Sequence, residues 1–272
     1  MSSQLQPARS PRKWGIAIVL AAVFFGGAFA IHEHSEHALA ARLVRTTPDT
    51  VPDHPDLVAY ALPKGKAAYA ANCAACHGAD MKGDPEKGVP DLTDNDFLYG
   101  TGRVSDIERV IMYGIRAGNS KGWDLAFMPA FARENPYPRY KIGSLTEQDL
   151  WDVVAYLRSF QNPPDDLDAV KRGEAIFHSY KKGTCWDCHA TDAMGDSGIG
   201  APNLTDTVWL YGDGSPKWIY DAIAFGLDGY CPPFVDRLSP DTMRSIAVYL
   251  HSILKLPATG PMRAASALQT TK

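Results

Sequence analysis

The sequence predicts an all-α chain, an N-terminal transmembrane helix followed by two tandem copies of one helical unit. Three observations carry this reading. An uncharged, mostly apolar run extends from Trp14 to Ile31 behind Arg9, Arg12 and Lys13. The pattern C-x-x-C-H occurs twice, as Cys73-Ala74-Ala75-Cys76-His77 and as Cys185-Trp186-Asp187-Cys188-His189. Each copy is closed by a segment whose apolar residues recur with helical period, Leu150, Val153, Val154 and Leu157 in the first and Met243, Ile246, Ala247, Leu250 and Ile253 in the second.

Of 272 residues, 45% are hydrophobic, enough to build a packed core and too many for a disordered chain. The net charge is −4, and beyond the first 30 residues 24 basic side chains face 31 acidic ones. That balance excludes nucleic acid as a partner, because phosphate binding needs a basic footprint. Four of the five cysteines belong to the two C-x-x-C-H motifs, leaving Cys231 over and no disulfide framework.

Residues 1–31 read as a membrane anchor or signal segment. Basic residues before an apolar run orient the N-terminus to the cytoplasm and everything after Ile31 to the outer side of the membrane. Ala28-Phe29-Ala30 offers a cleavage site, which would leave a soluble periplasmic protein, whereas the run exceeds an ordinary signal core and so favours a retained anchor. His32, His34 and His37 read as its polar flank rather than as a metal site. Residues 32–56, with Pro48, Pro52 and Pro55, read as an extended spacer.

The first unit covers 57–162. A helix starting near Pro63 runs into Cys73, with Gly65 and Tyr69 one turn apart. Gly88-Val89-Pro90-Asp91-Leu92-Thr93-Asp94 and Phe97-Leu98-Tyr99-Gly100 follow, then a helix from Ser105 to about Ile115 and the loop holding Met128-Pro129-Ala130-Phe131. Thr146 and Asp149 form a capping box for the closing helix. Asn162-Pro163-Pro164 ends it and marks the boundary. The second unit, 163–257, repeats the plan: Gly173 and Phe177 echo Gly65 and Tyr69, Gly200 to Asp206 echoes Gly88 to Asp94, and Trp209-Leu210-Tyr211-Gly212 echoes Phe97 to Gly100. Gly88 and Gly200 each lie 11 residues beyond their motif histidine. Ser239-Pro240 opens the last helix. Within each unit the first and last helices are expected to cross at these small residues, Gly65 and Tyr69 against Tyr156, and Gly173 and Phe177 against Tyr249. Residues 258–272 read as a disordered tail.

Two cysteines three apart with a histidine next are the signature of a covalently attached c-type haem. On one helical turn the two sulfurs reach the vinyl groups while the imidazole reaches the iron. A zinc ribbon would need its cysteine pairs close in sequence, and here more than 100 residues separate Cys76 from Cys185. Two covalently bound haem c groups are therefore expected, with thioethers to Cys73, Cys76, Cys185 and Cys188 and proximal ligands His77 and His189. Met128 is the candidate sixth ligand of the first haem, ahead of Met81 and Met112; core filling is the alternative role. Aligning the units puts Cys231 in the methionine's place, so Cys231 is the candidate sixth ligand of the second haem. Met194, Met243 or no sixth ligand are the alternatives there. A thiolate stabilises ferric iron and would lower that haem's potential.

C-A-A-C-H-G, G-V-P-D-L-T-D, F-L-Y-G, M-P-A-F and the closing V-A-Y-L helix, twice over behind one anchor, resemble the dihaem subunit III of cbb3-type cytochrome c oxidases. The resemblance covers residues 56–256 and implies two class I cytochrome c domains in a bacterial inner-membrane protein. It also implies a non-catalytic subunit that takes electrons from soluble periplasmic cytochromes and delivers them to a haem–copper subunit. Two features depart from that pattern: Cys231 stands where the family has methionine, and the first unit has extra residues at 118–124 and 134–142. A cysteine-ligated haem beside a methionine-ligated one is also similar to the thiosulfate dehydrogenase dihaem family, in which the cysteine-bearing haem is catalytic. A free-standing carrier serving a dehydrogenase is the third reading.

Overall fold

The computed structural model describes residues 11–137 and 141–254, with side chains from Leu20 onward except Ala21, Ala22 and Ala28. The tail expected from Ala258 lies outside these residues, as do most of the side chains in the first half of the expected span. Helix α1 runs unbroken over Pro11–Arg45 and exposes Leu20, Val23, Phe24, Phe25, Phe29 and Ile31. Among the described residues no helix is long and apolar enough to cross a membrane.

The expected extended spacer is helical instead. No proline or glycine interrupts the chain between Gly27 and Pro48, so α1 continues to Arg45. A 3-10 turn, Pro48–Asp53, then leads into α2, Pro55–Asn72. Leu43 and Val51 are fully buried, so this stretch packs on the globular part. The helix start also moves: Pro55 takes the N-terminal position and Pro63 lies inside α2. An interior proline costs about 3 kcal/mol. Burial of Ala61 and Tyr69 on either side of it offsets that cost.

Next come α3 (Ala74–His77), α4 (Val104–Tyr113), α5 (Glu147–Ser159), α6 (Leu167–Phe177), α7 (Trp186–His189), α8 (Pro216–Phe225) and α9 (Pro240–Ile253). The extended contacts among the described residues are isolated bridges. The capping box of α5 forms as expected, the Thr146 hydroxyl accepting from Asp149 N–H and the Asp149 carboxylate accepting from Thr146 N–H. Ser239 sits at the N-cap of α9 without capping it and donates to Asp241 instead.

The two units exchange their closing helices. Helix α2 packs chiefly on α9, and α5 on α6. A Cβ on Gly65 would strike the Ser245 carbonyl and come within 2.7 Å of Tyr249 Cβ; one on Gly173 would strike the Asp152 carbonyl and come within 2.8 Å of Tyr156 Cβ. Tyr69 therefore meets Tyr249 at 6.2 Å between ring centres, and Phe177 meets Tyr156 at 5.4 Å. The small-residue crossings exist, but each pairs one repeat with the other, correcting the pairing read within each unit. One core holds Leu57, Tyr69 and Ile111 with Phe234, Met243 and Ile246; the other holds Phe131, Leu150 and Val153 with Phe177 and Ile223.

The crossing is reciprocal. Ile115 and Cys231 exchange two backbone hydrogen bonds of 2.9 and 3.1 Å, and Leu227 and Met128 exchange two of 3.0 Å. Phe131 N–H donates to Ile223 O while Phe234 N–H donates to Ile111 O. Each bond maps onto its counterpart when the repeats are interchanged, so an approximate two-fold axis relates two lobes. One lobe is α2, α3, α4 and α9; the other is α5, α6, α7 and α8. This is domain swapping within a single chain.

Candidate functional site

Each lobe holds one C-x-x-C-H turn. Cys73 N–H donates to Tyr69 O at 2.8 Å, so the first attachment turn grows directly out of α2, and His77 N–H closes it on Cys73 O at 3.0 Å. In the second turn His189 N–H donates to Cys185 O at 2.9 Å. The residue after each histidine turns the chain through left-handed backbone, Gly78 at φ 78° and Ala190 at φ 64°. Glycine meets that demand freely; alanine meets it at a cost.

Both imidazoles are aimed by a backbone carbonyl 13 residues on. His77 Nδ1 lies 3.3 Å from Pro90 O and His189 Nδ1 lies 3.0 Å from Pro202 O. A carbonyl only accepts, so Nδ1 carries the proton and Nε2 keeps its lone pair for a metal. Burial lowers both histidine pKa values, which holds the rings neutral. Sequence reading missed these carbonyls, although Pro90 and Pro202 occupy matching places in G-V-P-D-L-T and G-A-P-N-L-T.

The His189 lobe opens into an apolar cleft. Cys185, Cys188 and His189 line it together with Met128, Trp209 and Ile223. Burial pushes the Cys185 thiol up to about 12. Met128, from the first repeat, thus shares a cleft with the attachment turn of the second. Cys231 belongs to the other lobe: burial first, then the Cys73 and Cys76 thiols, push its own thiol up to about 11. The structure corrects the expected pairings. His189 shares its cleft with Met128, and Cys231 lies with the attachment turn of His77. The physical reason is the crossing at Ile115 and Leu227, which carries the Met128 loop and the Cys231 loop each into the other lobe.

The residues present fit a c-type haem. Two thiols and an imidazole share one turn, Nε2 has no hydrogen-bond partner among the described residues, and in the His189 lobe a thioether lines the same apolar cleft as the imidazole. Buried Trp123 and Trp186 each hold an indole N–H with no acceptor among the described residues. Among the described residues no group of three or more His, Cys, Asp or Glu side chains could hold a metal ion, and His32, His34 and His37 are exposed along α1.

Residues 62–161 match the family model described as cytochrome c, and residues 168–250 match that described as cytochrome c oxidase, cbb3-type, subunit III. The chain is 36% identical over 217 residues to the cbb3-type cytochrome c oxidase subunit FixP of Azorhizobium caulinodans, covering 79% of this chain and 68% of that protein. It is 37% identical to FixP of Bradyrhizobium diazoefficiens, covering 73% and 63%. Subunit CcoP of Cereibacter sphaeroides is 31% identical, covering 78% and 68%. This chain thus spans about two thirds of the length of these relatives.

Proposed function

Since this chain belongs to the family of cbb3-type cytochrome c oxidase subunit III, we propose that it relays electrons through two c-type haems to a haem–copper oxidase subunit. Two haem c groups, one on each C-x-x-C-H turn, are its cofactors. The observation that carries the reading is the duplicated geometry: two attachment turns, each with an imidazole whose Nδ1 is tied to a carbonyl and whose Nε2 is free. Bound haem supplies a one-electron iron couple. The protein's part is to hold the iron in fixed coordination, exclude water and set the potential through the ligand opposite the histidine.

His77 with Cys231, and His189 with Met128, are the ligand pairs in this reading. The thioether raises one potential and the thiolate lowers the other. A difference of about 120 mV would bias the electron about a hundredfold toward the Met128 haem, at about 59 mV per tenfold. The protein would be held at the inner membrane by α1, whose described apolar side chains between Leu20 and Ile31 are all exposed, with both haem lobes in the periplasm. There they would meet soluble cytochrome donors. Membrane extraction followed by affinity purification tests the role: copurification with a haem–copper subunit supports it, and recovery of this chain alone contradicts it.

Cys231 beside the His77 turn favours one second reading, an enzyme resembling thiosulfate dehydrogenase. Thiosulfate added to the isolated oxidised protein would then reduce haem directly. The oxidase-subunit reading expects no reduction without a donor cytochrome.

A further inference from the structure

The seam between the lobes carries a cation that neither attachment turn uses. Arg116 has a side chain only 14% exposed and backbone in the left-handed region at φ 49°. Its Nε donates to Gly229 O, and Nη1 donates to Tyr99 Oη at 2.8 Å and Ala126 O at 3.0 Å. Its ion-pair partner, Asp228, lies 3.1 Å from Nε but is 74% exposed, so water already solvates that carboxylate. Nη2 has no hydrogen-bond partner among the described residues. Beside it stands Tyr211 Oη, likewise without one: a Cβ built on Gly229 would lie 2.5 Å from Tyr211 Oη and 3.1 Å from Arg116 Nη2. Both side chains line the apolar cleft that contains His189 and Met128.

Two uncommitted donors therefore converge on the wall of a cleft that is otherwise apolar. A guanidinium withdrawn from water is costly unless an anion meets it, and its planar fork matches a carboxylate. We propose that Arg116 Nη2 and Tyr211 Oη bind a propionate carboxylate of the haem in the His189 cleft. Arg116 is then a positioning residue through which the first repeat sets the potential of the haem attached to the second. The arrangement is one-sided. Arg116 and Asp228 occupy equivalent positions in Gly114-Ile115-Arg116 and Gly226-Leu227-Asp228, and across the seam the matching place holds an acid. The inference rests on the reading of both clefts as haem sites.

The test uses the full chain with both haems attached, titrated at equilibrium and followed by visible absorption. The His189 haem is identified by its loss in the double variant Cys185→Ala/Cys188→Ala. Arg116→Gln is expected to shift the oxidised-to-reduced ratio of that haem about tenfold toward oxidised at fixed potential, a midpoint about 59 mV lower. Arg116→Lys keeps the charge without the fork and shifts it by less than about threefold. Tyr211→Phe shifts it about two- to fivefold in the same direction as Arg116→Gln. Asp228→Asn removes a negative charge and moves the midpoint the opposite way, which a merely structural seam contact would not do. An unmoved His189 midpoint in loaded Arg116→Gln overturns the proposal, as does movement in the same direction as Asp228→Asn. Should Arg116→Gln fail to retain haem, an unchanged midpoint in Tyr211→Phe overturns it. An unaltered chain carrying fewer than two haems would overturn the underlying reading instead.

Discussion

The His77 lobe and the His189 lobe are assembled from the same parts and diverge in the sulfur side chain each receives from the other repeat. Both have the two-cysteine turn, the left-handed residue after histidine and the carbonyl on Nδ1. They part in the sulfur each holds: the Cys231 thiol lies with the His77 turn and the Met128 thioether lines the His189 cleft. Both of those sulfurs arrive from the other repeat, across the bonds joining Ile115 to Cys231 and Leu227 to Met128. Duplication supplied a common means of attachment. In the proposed reading, exchange makes each lobe depend on the other repeat for the sixth ligand of its haem, so that a change in one half of the sequence would be felt at the haem of the other half.

The comparison can be broken most strongly at the ligands. Cys231→Met should erase the asymmetry, raising the lower midpoint about a hundredfold in ratio, or about 120 mV, while leaving the other in place. A redox titration with two resolved steps in the parent and one in the variant checks it. Next in size is the core. Ile246 is fully buried in α9 and Leu150 is 1% exposed in α5. Ile246→Ala and Leu150→Ala should each cost about 2–5 kcal/mol. The first should unfold the His77 lobe and the second the His189 lobe, opposite to their places in the sequence. Thermal unfolding followed in variants that keep one haem separates the two lobes.

The crossings sharpen the picture on a smaller scale. Gly173→Ala forces a methyl group against the Asp152 carbonyl and Tyr156 Cβ, which should cost about 1–3 kcal/mol and fall on the His189 lobe. The smallest effect is acid dependence. Asp152, 3% exposed, joins α5 to α6 through Arg172 at 2.8 Å. The Arg172 hydrogen bonds hold its carboxyl below the usual carboxylate range. A lowered carboxylate pKa contributes stability above the ordinary value and loses it as pH falls from there through the folded value. Asp152→Asn should therefore lower the urea midpoint at neutral pH, with the gap to the parent closing in acid.

Much of this was legible in the residues. The paired motifs located both attachment turns, Thr146 and Asp149 announced the cap of α5, and the helical period located the buried stripes of α5 and α9. The exchange was not legible, because Gly65 with Tyr69 and Gly173 with Phe177 present nearly the same small-and-aromatic surface to Tyr156 and Tyr249. Either partner satisfies the pattern. The choice is embodied in backbone bonds at Ile115 and Leu227 and in the Arg116–Asp228 pair, contacts between positions far apart in sequence that carry no periodic signal. The helical course from Ile31 to Arg45 was hidden for another reason. Three prolines near position 50 suggested extension, yet two of them, Pro48 and Pro55, occupy opening positions of helices, where proline is compatible with the geometry.

The central claim, that each haem receives its sixth ligand from the opposite repeat, is tested most directly by electron paramagnetic resonance of the oxidised Cys185→Ala/Cys188→Ala variant, which keeps only the His77 haem. The account expects a thiolate-type low-spin signal that disappears on adding Cys231→Ser and is untouched by Met128→Leu. A methionine-type signal that disappears with Met128→Leu would contradict it.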